Sequence, residues 1–165
     1  ILEDGKEKEV IYPKGTIVID RFLLRPDYSG QRRFTLAHEA AHIIFERMSP
    51  TAVGPCFNRY YDREKRYSFQ ELQEHLDICE AQTDRLASVL LMPQFLVVRV
   101  MEEEQQSKKI PLYGSTVLRS SDKLTIQNMA DGIGVTFTAL LIRLRELHFI
   151  EHRNLSEYLE TEMIF

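Results

Sequence analysis

The sequence is poor in cysteine, lacks tryptophan and contains no long apolar run. The two cysteines among its 165 residues, Cys56 and Cys79, cannot build a disulfide framework, and no C-x-x-C pair is present for a structural zinc site. The most apolar stretch, 86–100, is too short to span a membrane and is interrupted by Pro93. These features exclude a disulfide-stapled scaffold and a zinc finger, and they predict a protein with no membrane partner.

Neither sign of charge dominates the composition. The chain carries 21 Lys+Arg against 25 Asp+Glu, a formal net charge of −4. A protein that mainly binds nucleic acid needs a basic surface, so we do not expect direct nucleic-acid binding. Residues 1–9 are rich in Asp and Glu, where a secretory signal would be basic and then apolar. We therefore expect a soluble, cytoplasmic protein.

The spacing of apolar residues predicts a protein of mixed α and β structure. Two β-branched runs, 9–12 and 15–19, flank a Pro-Lys-Gly turn and predict a small N-terminal β-sheet. Apolar side chains recur every three or four residues over 31–48, which is the period of a helix. A capping-box pattern at 68–71 opens a second helix, which Pro93 ends.

Two further segments have features of their own. A long irregular connection, 49–67, separates the two predicted helices, and connections of this length inside a small domain are often functional. At 125–150, two predicted helices flank Gly132-Ile133-Gly134 in an arrangement that resembles a helix-turn-helix motif.

The most informative residues are His38, Glu39 and His42, an H-E-x-x-H run inside the first predicted helix. Residues four apart share a helix face, so both imidazoles can reach one Zn²⁺, and Glu39 can take a proton from zinc-bound water. With 5 His in the chain, chance would produce roughly 0.015 such runs. Two histidines that merely happen to lie four apart are therefore the weaker interpretation.

A catalytic zinc site also needs a third protein ligand and an open position for water. The second predicted helix offers Glu80, which borders its apolar face, and Asp84 follows one turn later. The first carboxylate suits the metal, and the second could accept the far N–H of a ligand histidine and so fix its tautomer. A solvated helix face is the alternative for any such Glu. Spacing alone leaves both interpretations open for Glu80, whereas Glu71 and Glu74 fit the solvated face.

Both predicted helices carry longer motifs around these residues. Residues 33–42 read R-F-T-L-A-H-E-A-A-H, and residues 80–93 read E-A-Q-T-D-R-L-A-S-V-L-L-M-P. Together they resemble the ImmA/IrrE family of zinc metallopeptidases, whose pattern is R-F-T-x-A-H-E-x-x-H followed by E-x-E-A-[ND]-x-F-A-x-x-L-L-M-P. Gln82, Thr83 and Leu86 stand where that family has Glu, Ala and Phe.

This resemblance implies an overall arrangement as well as a motif. It spans about residues 10–150 and implies a gluzincin-like fold. Combined with the predicted elements, it gives an α+β class, in which a small N-terminal β-sheet packs on a helical zincin-like core that carries both motif helices. We expect this metallopeptidase-like core at 1–112 and a helix-turn-helix-like lobe at 113–165, packed together as one unit.

The resemblance further implies a site and an activity. It makes His38, His42 and Glu80 the Zn²⁺ ligands and Glu39 the catalytic base. The characterised members of the family are intracellular proteases that cut helix-turn-helix repressors in stress responses or mobile-element transfer. A transcriptional repressor is therefore the implied protein substrate.

Other functions and residues remain open at this point. The segment at 125–150 suggests a DNA-binding regulator, although residues 115–153 carry five basic and four acidic side chains, too balanced for a phosphate-binding face. A non-catalytic zinc-binding scaffold is a further alternative, against which the intact motif residues weigh. The oxyanion of a peptide cleavage needs a donor near the metal. The available candidates are Tyr60, Tyr61, Tyr67, His75, His148 and His152.

Overall fold

The computed structural model describes residues 2–3, 6–7, 11–13, 15–48, 66, 68–104, 106 and 109–162. Helices dominate and the sheets are small, so the predicted α+β class is confirmed. No helix within these ranges is both long enough and apolar enough to cross a membrane. In chain order the elements are β1 (Leu2–Glu3), β2 (Lys6–Glu7), α1 (Ser29–Met48), α2 (Phe69–Leu91), α3 (Gln94–Glu103), β3 (Ile110–Tyr113), α4 (Ser120–Ile133), α5 (Phe137–Glu146), β4 (Ile150–Arg153) and α6 (Leu155–Glu162).

The N-terminal strands differ from the prediction. β1 and β2 form a two-residue antiparallel ladder. The strand predicted at 15–19 is wrong, because these residues lie outside any strand. Of the strand predicted at 9–12, Ile11 and Tyr12 are described, and neither belongs to a strand. Ile11 is 89% exposed and Val18 64%, and no strand among the described residues pairs with either segment, so β-branched propensity here lacks the partner strand that it needs.

The helix predictions around the two motifs are confirmed. α1 covers the predicted 31–48, and α2 begins after a capping box in which the Ser68 hydroxyl accepts from the Glu71 amide at 3.2 Å. The Glu71 carboxylate accepts from the Ser68 amide at 2.8 Å in return. The two helices pack together with Ala41 and Ala87 fully buried, because side chains this small allow the backbones to approach closely.

α1 is anchored near its start to the turn between α4 and α5. The Arg33 Nη1 donates to the Ile133 carbonyl at 2.9 Å, near the C-terminus of α4 where a cation is favoured. A Cβ atom at Gly30 would lie 2.9 Å from the carbonyl carbon of Val135, so only glycine fits there. These contacts set the position of α1 and, with it, of the H-E-x-x-H run.

α4 and α5 form the predicted helix-turn-helix-like pair. Gly134 follows α4 in the left-handed region with φ of 78°, and the amides of Gly134 and Val135 both bond to the Ala130 carbonyl at 2.8 and 3.0 Å. This is a Schellman-type ending, for which glycine is the favoured residue. α4 begins five residues before the predicted start at 125, and Ile150 belongs to β4 rather than to a helix.

The main hydrophobic core lies among α3, α4, α5 and the parallel pair β3–β4. Ile110 of β3 aligns with Ile150 of β4 in this pair. The predicted boundary between residues 112 and 113 falls inside β3, and the core contains residues from both sides of it. The buried members include Met92, Val97, Val100, Ile110, Leu118, Ile126, Met129, Leu140 and Leu144.

Candidate metal centre

α1 supplies two imidazoles that point toward one place. His38 and His42 lie one helical turn apart, with ring centroids separated by 4.7 Å and ring planes 81° apart. Their Nε2 atoms are 3.1 Å from each other. The side chains are 19% and 13% exposed, so the pair is partly desolvated and still reachable from solvent.

α2 adds a carboxylate to the same place. One oxygen of Glu80 lies 3.2 Å from Nε2 of His38, and the other lies 3.5 Å from Nε2 of His42. The ligand atoms of these three residues all lie within 4.8 Å of one another, and no other such group of three occurs among the residues that the structure describes. His38, His42 and Glu80 are therefore placed to hold a metal ion.

The distances between these atoms fit a tetrahedral ion. Ligand bonds of about 2.0–2.1 Å imply distances between ligand atoms of about 3.3–3.4 Å in a tetrahedron. The Nε2–Nε2 separation of 3.1 Å and the 3.2 Å from Nε2 of His38 to Oε2 of Glu80 lie close to that value, and the 3.5 Å from Nε2 of His42 is measured to the other oxygen of the same carboxylate, Oε1. Two histidines and one carboxylate also form a donor set that leaves a fourth position for water or substrate, as in catalytic zinc sites.

Asp84 lies one turn after Glu80 on α2, and it contacts the opposite side of the His38 ring. Its Oδ1 is 2.8 Å from Nδ1 of His38, the ring nitrogen that faces away from Glu80. If Nδ1 of a neutral His38 donates to Asp84, Nε2 presents a bare lone pair to the Glu80 oxygen 3.2 Å away. In that tautomer a lone pair facing a carboxylate is repulsive unless a cation lies between them, and a metal ion bound to both atoms would supply that cation.

Glu39 lies between the two histidines in the α1 sequence and is half-buried. Within the described residues its carboxylate has no hydrogen-bond or salt-bridge partner. A carboxylate next to a metal and free of other partners can exchange a proton with a substrate or with water. The catalytic role of Glu39 remains a prediction at this point.

The two oxyanion candidates whose side chains the structure describes, His148 and His152, do not join the metal group. Tyr60, Tyr61 and Tyr67 lie outside the described residues, as does Cys56, and the side chain of His75 is not described. His148 occupies the turn after α5 and His152 lies in β4. Neither belongs to the cluster of ligand atoms. Cys79 is buried on α2, as expected for a small apolar side chain.

A cavity of about 700 Å³ next to this centre was not predicted from the sequence. It lies between α1, α2 and α5, and Asp84 contributes to its wall. Since α5 is distant in sequence from both motif helices, local sequence patterns do not predict that the three helices enclose a cavity. Its mostly apolar lining includes Phe34, Ile78, Ala81, Ala139 and Ile142.

Comparison with known families agrees with the geometry of the site. The family model described as Peptidase_M78, IrrE N-terminal-like domain, matches residues 22–145, which is more than half of the 165-residue chain. The matched region contains both motif helices and the turn that anchors α1. Comparisons with curated proteins and with solved structures found no match.

Proposed function

Because the chain belongs to the Peptidase_M78 (IrrE N-terminal-like) family, we propose that it is a zinc-dependent endopeptidase. Family membership supports a metallopeptidase type of function. The observation that carries the proposal is the convergence of His38, His42 and Glu80, with Glu39 next to His38 in the sequence of α1. Zinc fits better than magnesium or calcium, because imidazole nitrogen suits zinc and the other two prefer an all-oxygen shell.

The residues of the site have separate roles in the proposed hydrolysis. His38, His42 and Glu80 would hold the ion, which when bound polarises a peptide carbonyl and lowers the pKa of its water. Glu39 takes the proton from the attacking water and returns it to the leaving amine. Asp84 holds the His38 ring in the orientation that directs Nε2 inward.

For the substrate we propose a helix-turn-helix repressor. The support is the resemblance to the ImmA/IrrE family and a net charge of −4, which complements a basic DNA-binding protein. Such a substrate acts in the cytoplasm, so we also assign the enzyme to that compartment.

The helix-turn-helix-like pair α4–α5 makes a DNA-binding regulator the second candidate. A recognition helix contacts bases with its N-terminal residues. In this chain, Thr136, Thr138 and Ala139 at the start of α5 line the cavity shared with α1 and α2. Arg143 is buried and paired with Glu146. These contacts favour a structural lobe or a docking lobe for a protein substrate.

The proposal is tested first by metal content. We expect purified protein loaded with Zn²⁺ and then dialysed to retain about one equivalent of zinc, since structured zinc sites bind tightly, and the His38→Ala variant to lose it. A wild-type protein that retains no zinc would contradict the metal centre.

The second test is cleavage. Zinc-loaded protein is incubated with the helix-turn-helix repressors encoded beside its gene, and the products are read by mass spectrometry. Cleavage that a zinc chelator abolishes supports the proposal. Zinc binding without cleavage of these repressors or of an unfolded protein such as casein would instead favour the non-catalytic scaffold. A salt-sensitive shift of duplex DNA would favour the regulator.

A further inference from the structure

Thr83 lies on α2 beside the second ligand histidine. It is 1% exposed, and its Oγ1 donates to the Cys79 carbonyl one turn earlier at 2.9 Å. The same oxygen lies 3.4 Å from Nδ1 of His42. The ImmA/IrrE pattern has alanine at this position, which has no hydroxyl, so this contact is a feature of the present chain.

The direction of these two contacts follows from the protons available. A threonine hydroxyl has one proton and two acceptor lone pairs. Since that proton is directed to the Cys79 carbonyl, the oxygen can only accept from His42. The proton of a neutral His42 must then sit on Nδ1, which leaves Nε2 as a bare lone pair. That Nε2 is the atom 3.5 Å from Glu80 and 3.1 Å from Nε2 of His38.

We propose that Thr83 is a positioning residue for metal binding, which sets the tautomer and ring orientation of His42. It does for His42 what Asp84 does for His38, but through a neutral hydroxyl rather than a carboxylate. The inference rests on the proposed metal site and does not depend on peptide cleavage. It predicts that the two ligand histidines are supported independently, because their partners are different residues.

The first test measures zinc affinity by competition with a chromogenic chelator. Thr83→Val keeps the shape of the side chain and removes the hydroxyl, and we expect it to weaken zinc binding about tenfold, the lower end of the range for lost supporting contacts. Thr83→Ala also removes the hydroxyl but leaves a smaller side chain, and it should weaken zinc binding as well. Thr83→Ser keeps the hydroxyl and should bind zinc close to the wild-type affinity. Thr125→Val on α4 is the matched control for loss of a threonine hydroxyl away from the metal group.

The second test needs no metal. Nitrogen-15 NMR of the metal-free protein, at a pH where its histidines are neutral, should show a larger fraction of His42 with its proton on Nδ1 in the wild type and in Thr83→Ser than in Thr83→Val. In Thr83→Val the proton should redistribute toward Nε2. A change in packing alone would lower thermal stability without moving this proton.

The outcomes separate the two proposals. Wild-type zinc affinity together with an unchanged His42 tautomer in both Thr83→Val and Thr83→Ala would overturn the role of Thr83 and leave the metal centre standing. A wild-type protein that binds no zinc would overturn the proposed function and this inference with it. Weakened binding in Thr83→Ser equal to that in Thr83→Val would also overturn the inference, since the hydroxyl would then not matter.

Discussion

The Nδ1 atom of His38 lies 2.8 Å from Oδ1 of Asp84, and the Nε2 atom of the same ring lies 3.2 Å from Glu80. One imidazole thus bridges two carboxylates on successive turns of α2. The two contacts require different chemistry from the ring, because Nδ1 can donate a proton while Nε2 must keep its lone pair to bind a metal. We therefore expect the carboxylate of Asp84 to affect the affinity of the site for a metal ion.

We predict that Asp84→Asn lowers zinc affinity by about 10- to 100-fold, the range typical of lost partners of ligand histidines. An asparagine oxygen can still accept the Nδ1 proton, but without the negative charge that makes the imidazole a stronger ligand. Chelator competition measures the change. Asp131→Asn, which removes the same charge from an exposed position on α4, should leave zinc affinity unchanged. Equal losses in the two variants would mean that net charge, rather than the contact with His38, controls binding.

Glu39→Gln separates metal binding from catalysis. The substitution removes the proton acceptor while keeping size and polarity, so we expect kcat/KM to fall by about 10²- to 10⁴-fold. Zinc content should stay at the wild-type level, because Glu39 is not in the group of ligand atoms. Cleavage of a repressor or of labelled casein measures the rate, and Glu102→Gln on the exposed face of α3 is the control. Full cleavage by Glu39→Gln would exclude Glu39 as the base.

The parts of the structure that the sequence predicts well are local. The four-residue spacing of His38 and His42 puts them on one helix face whatever the rest of the chain does. The Ser68–Glu71 capping box likewise depends on residues three apart, and both of its hydrogen bonds are present. The convergence of Glu80 on the two histidines is not local in this sense, because spacing alone left a solvated face open for Glu80 and the packing of α1 against α2 brings it to the imidazoles.

What the sequence does not predict depends on distant partners. β3 and β4 pair through short segments 40 residues apart, and the alignment of Ile110 with Ile150 has no local signature. Arg33 reaches a carbonyl 100 residues along the chain. The strand predicted at 15–19 is wrong for a related reason. Its residues have a local preference for strand, but a strand also requires a neighbouring strand to pair with.

Arg143 is predicted to be a structural residue rather than a DNA contact. It is 7% exposed, its Nε donates to the Met92 carbonyl at 2.9 Å, and its Nη1 pairs with Glu146 at 2.9 Å. Arg143→Ala leaves the Met92 carbonyl without this donor and should lower the free energy of unfolding by about 1–3 kcal/mol. Urea denaturation measures the change. Arg145→Ala, on the exposed side of the same helix, should stay within about 0.5 kcal/mol of the wild type. Equal effects would show that the buried contacts of Arg143 contribute nothing of their own.

Asp122 in the first turn of α4 should make stability depend on pH. Burial raises the pKa of this carboxyl, an effect that the charge of Arg119 partly opposes, and its Oδ2 is buried without a hydrogen-bond partner among the residues that the structure describes. The pKa of Asp122 is higher in the folded protein than in the unfolded chain, so protonation of this carboxyl stabilises the folded state. That stabilisation is fully present below the unfolded pKa of about 3.9, and it is lost as the pH rises through the folded pKa. The wild type should therefore lose stability relative to Asp122→Asn between acidic and neutral pH, because asparagine carries no charge in that range. Urea denaturation of both proteins at several pH values measures the difference. A difference that stays constant, or that grows in favour of the wild type as the pH rises, would contradict the raised pKa.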